Sequence, residues 1–165
     1  MSNNLELCRK IAKQIKDGFP DQILKIEKNT IIEHSVKNKR LMKYGHRDNM
    51  SGCYAYYVNV KPHRIVVKQK ILKNGIIYST YGGRHSLSIV PPYKKYVDLY
   101  RYTLHGGKIF GRARLEGNWA FIDLMCHELA HHRTKGHAKG FKVKYHRLLN
   151  YMANKVISGE FYNEL

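Results

Sequence analysis

The chain has 165 residues, 43% hydrophobic and 12% aromatic, which suits one ordinary core and makes a second one cramped. Thirty Lys and Arg against twelve Asp and Glu give a net charge of +18, a balance that seeks polyanions, nucleic acid before an anionic membrane surface. No stretch approaches the roughly 18–20 apolar residues of a membrane-spanning helix. The N-terminus, MSNNLELCRKIAKQIKD, lacks the apolar run of a signal peptide. Cys8, Cys53 and Cys126 are scattered, odd in number and without a CxxC pair, which argues against a disulfide framework and a Cys-based zinc finger. The expectation is an intracellular protein of the cytoplasm or nucleus, not secreted and not inserted in a membrane.

In chain order, Leu5, Cys8, Ile11, Ala12, Ile15 and Phe19 recur at spacings of three and four, and Gly18 and Pro20 stop the run, so the first element is an amphipathic helix. Residues 22–104 read mostly as strands. Tyr54, Tyr56 and Val58 alternate with Ala55, Tyr57 and Asn59. Arg64–Leu72 and Ile76–Tyr81 flank Lys73-Asn74-Gly75, where Asn-Gly signals a hairpin. His85–Val90 alternates up to Pro91-Pro92, and 93–104 is ambiguous between strand and short helix. Lys108–Leu115 makes a last strand, with Gly111 allowing a bulge. Trp119 to about Thr134 is a largely apolar helix behind a Gly117-Asn118 cap, broken at Gly136. A final helix over about 138–157 carries Phe141, Tyr145, Leu148, Leu149, Met152 and Val156 on one stripe. With no repeat or linker, residues 1–165 read as a single domain of the α+β class: a helix, a mostly antiparallel sheet and two C-terminal helices.

The chemistry concentrates in His127-Glu128-Leu129-Ala130-His131. Residues four apart on a helix share a face, with Cβ atoms about 6 Å apart, so two imidazoles can grip one cation. Glu128 can then serve as general base on a water whose pKa a bound Zn2+ lowers from near 16 to about 7. His137 follows His131 past the Gly136 break, where the chain can turn back and bring a third imidazole to the metal. Glu160, 29 residues beyond His131, is the rival third ligand. Three neutral imidazoles leave the metal its double charge, which favours a Lewis acid over a purely structural ion. His132 lies about 100° round the helix and is expected to face solvent or a phosphate. For oxyanion stabilisation, Tyr145, His146, Arg147, Tyr81 and His85 are all in plausible regions. Cys126 is expected to pack in the core.

His127-Glu-Leu-Ala-His131, five residues, His137 and then Phe141 resemble the signature of the SprT-like, WLM and YgjP-like zinc metallopeptidases. The resemblance covers residues 119 to about 149. The Trp-Gly-Ser-Cys segment of YgjP-like proteins and the C-terminal zinc ribbon of many SprT-like proteins are missing from this sequence. It implies a compact zincin-like fold, a substrate extended along an edge strand above the helix, and an aromatic packed beneath the metal site. For several members it also implies cleavage of proteins attached to DNA.

Arg133, Lys135, Lys139, Lys142, Lys144 and Arg147 follow the motif with no acid among them, a strip suited to phosphates without regard to base sequence. The reading is a zinc-dependent metallopeptidase that cleaves proteins bound or crosslinked to DNA or another nucleic acid. Two alternatives stand beside it. One is a basic nucleic-acid-binding protein with a structural or vestigial zinc site; the other is a non-proteolytic zinc hydrolase of an anionic small molecule.

Overall fold

A computed structural model of the chain describes residues 2–19, 30–34, 54–58, 61–82, 98–105, 108–132, 136 and 139–161. The elements in order are α1 (Ser2–Gly18), β1 (Ile31–His34), β2 (Ala55–Val58), β3 (Arg64–Val67), α2 (Gln69–Asn74), β4 (Ile76–Gly82), β5 (Asp98–His105), β6 (Lys108–Glu116), α3 (Asn118–Ala130) and α4 (Lys139–Ile157). The class is α+β. Among the described residues the strands form two three-stranded sheets, ordered β1-β3-β2 and β4-β6-β5. All the pairings are antiparallel except β1 with β3, which run parallel. The expected strand over His85–Val90 lies outside the described residues.

The apolar periodicity places α1 and α4 as the sequence indicates. Leu5, Cys8, Ile11, Ala12 and Ile15 are buried along one side of α1, and Phe141, Tyr145, Leu148, Leu149, Met152 and Val156 along one side of α4. Each fully buried branched side chain of this kind stabilises the fold by about 1.5–3 kcal/mol. The two helices also meet directly: Phe19 sets its ring edge on Tyr151 at 4.8 Å, and Gln14 donates to the Tyr151 hydroxyl at 2.8 Å. Arg9 ties α1 to β1, its Nε and Nη2 both donating to the Ile32 carbonyl at 3.2 and 3.1 Å.

Between these helices lies α3, apolar nearly all round and therefore a central rather than a surface helix. Every residue from Ala120 to Cys126 is buried, as are Glu128, Leu129 and Ala130. It packs against α1, α4, β2, β4 and β6, so the motif it carries is held from several sides.

The expected hairpin at Lys73-Asn74-Gly75 does not form. Residues 69–74 are helical, and Gly75 caps α2 in the left-handed region, with φ 62° and ψ 28° and its N–H donating to the Ile71 carbonyl. A glycine at positive φ serves a hairpin turn and a helix C-cap equally well. The burial of Ile71 and Leu72 on one side of α2 decides between them. The strand after Gly75 pairs instead with β6, Ile76 opposite Glu116 and Ile77 opposite Leu115. Gly117 then donates to the Gly75 carbonyl at 2.9 Å and joins the end of α2 to the start of α3. The segment left open between strand and helix is strand over 98–105. The register irregularity of this sheet falls in β5, between Leu99 and Arg101, rather than at Gly111.

Candidate metal centre

His127 and His131 lie on the last turns of α3, where the hydrogen bonding tightens: the His131 N–H donates to the Glu128 and Leu129 carbonyls, and His132 N–H to Leu129. Their Nε2 atoms stand 3.2 Å apart. Two nitrogens at about 2.0–2.1 Å from one tetrahedral zinc are separated by about 3.3 Å, so the pair has the spacing a shared ion requires. The imidazoles are not left to swing. Phe141, from the first turn of α4, stacks on His131 at 4.4 Å and 25°, and meets His127 edge-on at 4.9 Å. Phe141 is therefore in ring contact with both histidines. The His127 side chain keeps 32% exposure, so the site is open to solvent on the histidine side.

Glu128 sits on the inner side, 5% exposed, with Oε1 4.0 Å from His127 Nε2. Burial pushes its carboxyl up to about 8. A carboxylate withdrawn from water is costly without a nearby positive charge. A dication against the two Nε2 atoms supplies that charge, so the donor set and the buried acid fit a zinc ion together.

His137 lies outside the described residues, as do Arg133 and Lys135. Among the described residues no cluster of three or more His, Cys, Asp or Glu side chains is assembled. Gly136 has φ 72°, the left-handed conformation suited to a chain reversal. Glu160 stands far from the pair. It lies past the C-terminal end of α4, 58% exposed and paired with Lys155, whereas the histidines touch the first turns of that helix. From Phe141 to Ile157 the helix rises roughly 24 Å at 1.5 Å per residue, so Glu160 cannot reach the same ion.

His132 differs from expectation. Instead of facing solvent it is 5% exposed, its Nδ1 hydrogen-bonded to the Tyr57 hydroxyl of β2 at 2.7 Å and its ring edge-on to His63 at 5.0 Å. Its carbonyl accepts from the Lys144 Nζ at 2.7 Å. The residue after the second histidine is thus tied to β2 by its side chain and to α4 by its backbone.

The basic strip is also divided by the structure. Lys144 is 8% exposed and turned to the end of α3, away from any phosphate on the surface. Lys142 is half-buried beside His146, whose pKa is lowered by burial and then by that ammonium. Arg147 is exposed. Lys139 begins α4, and its side chain is not among those described.

Of the oxyanion candidates, Tyr145 is buried, its hydroxyl donating to Asp123 Oδ1 at 2.7 Å, so that hydroxyl is already engaged. Asp123 was not singled out from the sequence. The available signal was its place one turn before His127 in the otherwise apolar run Trp119–Cys126. His85 lies outside the described residues, and Cys126 is fully buried, as expected. No described helix is long and apolar enough to cross a membrane.

Compared with known proteins, the chain matches no family model, no curated protein and no solved structure. The functional reading therefore stands on the site and its chemistry.

Proposed function

We propose that the chain is a zinc metallopeptidase of zincin type, with the ion held by His127, His131 and His137 and with Glu128 as general base. The observation that carries this reading is the 3.2 Å separation of the two Nε2 atoms beside a buried carboxyl. Zinc bound there supplies a Lewis acid that polarises a carbonyl and acidifies water. Glu128 takes the proton of the attacking water and passes it to the departing amine, and its burial keeps that proton from exchanging freely with solvent. Phe141 packs against both imidazoles and would restrict their motion around a bound ion. The His127 side chain keeps 32% exposure, so solvent reaches this side of the pair. The charge of +18 favours protein substrates that sit on nucleic acid, which the basic surface binds through phosphates.

Metal analysis of the purified protein should find one zinc per chain, and His137→Ala should lose most of it. Glu128→Gln should keep the zinc and lose cleavage of a DNA-bound protein by at least a hundredfold. A wild-type protein without zinc, or cleavage retained by Glu128→Gln, overturns the reading.

A further inference from the structure

Asp123, His127 and His131 occupy positions i, i+4 and i+8 of α3, so each is rotated about 40° from the last and all three share one stripe. The stripe continues into the interior. Asp123 is 4% exposed in the otherwise apolar run Trp119–Cys126 of α3, and a buried carboxyl is costly unless it is hydrogen-bonded. Its Oδ1 accepts the Tyr145 hydroxyl at 2.7 Å. The Tyr145 ring, so anchored, stands edge-on to His127 at 5.6 Å and parallel to Phe141 at 5.7 Å and 8°. Phe141 in turn stacks on His131.

We propose that the Asp123–Tyr145 pair is a positioning device that fixes the His127 imidazole, and through Phe141 that of His131, for metal binding. The inference rests on the zinc reading above and goes beyond it. A ring held by packing alone can slide along its neighbours, whereas a hydrogen bond at one end sets where its face and edge lie. The same bond holds the Asp123 carboxyl one helical turn before His127. Groups behind the ligands commonly alter metal affinity by about 10–100-fold, by orienting the ligand and by adding charge. Neither residue touches substrate; both act through His127.

The test separates this role from plain attachment of α3 to α4. Tyr145→Phe removes the hydroxyl and keeps the ring and its stacking, and Asp123→Asn keeps the shape. Cobalt(II) affinity is measured by competition with a chelator, together with the visible absorption of the bound ion. Denaturant stability of the chelator-treated protein is measured alongside. Tyr145→Phe is expected to bind cobalt at least tenfold more weakly with an altered absorption band, and Asp123→Asn at least as weakly. Variants that lose stability yet bind cobalt within twofold of wild type, with the same band, overturn the proposal. If Asp123→Asn does not fold, Tyr145→Phe alone decides, because it leaves the packing in place. A wild-type protein that binds no cobalt overturns the zinc reading itself, and the positioning role with it. That outcome differs from a wild-type site whose variants are unaffected.

Discussion

The buried Lys144 ammonium of α4 donates to the carbonyl of His132 at 2.7 Å, capping the C-terminal end of the helix that carries the metal motif. A cation at a helix C-terminus is favoured by the helix dipole, and a hydrogen bond to a charged group contributes about 1.5–3 kcal/mol. Lys144→Met keeps the length and removes the charge, so it should lower unfolding free energy by about that amount in denaturant. Arg147→Ala, at an exposed position of the same helix, should change stability by less than about 0.5 kcal/mol. If the protein binds nucleic acid, the order reverses: Arg147→Ala should weaken binding and flatten its salt dependence, and Lys144→Met should do neither. Equal effects of the two substitutions on stability would refute the buried placement of Lys144.

Gly75 offers a second check. Its φ of 62° is a conformation that other residues adopt at a cost of about 1–2 kcal/mol. A Cβ there would meet its nearest neighbours at 3.7 Å, ordinary contact, so the cost comes from the backbone alone. Gly75→Ala should therefore destabilise by about 1–2 kcal/mol, and Gly75→Asn by less. A neutral Gly75→Ala in equilibrium denaturation contradicts the helix cap.

This glycine also shows where the fold was legible in the sequence. The long periodic helices α1 and α4 follow from spacing, because a stripe of apolar residues can be buried in one way. Asn74-Gly75 does not decide its own role, since a turn and a cap ask for the same φ. What decides it is the packing of Ile71 and Leu72 and the pairing of β4 with the distant β6, both long-range facts.

The site divides in the same manner. His127 and His131 could be read from a four-residue spacing, which a helix converts directly into proximity. His132 could not, because a position 100° round a helix is exposed or buried according to what covers it, and here Tyr57 and His63 do. Lys144 looks like its neighbours in a run of cations, and nothing local shows that it turns toward α3. Asp123 shows the converse: a carboxyl in the otherwise apolar run Trp119–Cys126 is a visible anomaly, but its partner Tyr145 lies 22 residues away.

Cys8 and Cys126 should be chemically silent in the folded protein. Burial pushes the Cys8 thiol up to about 12 and raises that of Cys126 as well, with the Asp123 charge adding to the second. At pH 8 a thiol with a pKa of about 12 is roughly 0.01% thiolate, the form that reacts. Mass mapping after brief alkylation at pH 8 should find both cysteines unmodified in the native state and modified in denaturant. Rapid native labelling of Cys126 would show that α3 is not the buried helix described.

The pH dependence of stability should expose Glu128. With its carboxyl raised to about 8 by burial, against an ordinary value near 4.5 in the unfolded chain, the metal-free folded protein holds a proton that the unfolded chain releases. Between those two values the folded state binds more protons, so its stability falls as pH rises, by at most about 1.4 kcal/mol per pH unit. Glu128→Gln carries no such group. In chelator, the stability difference in favour of Glu128→Gln should be near zero below pH 4, grow through neutral pH to a few kcal/mol, and level off above pH 8. Adding zinc should shrink it, because the wild-type carboxylate then faces a cation and the amide does not. Parallel pH profiles for the two proteins in chelator would mean that Glu128 is not buried as a titrating acid, and its role as the base would lose its physical ground.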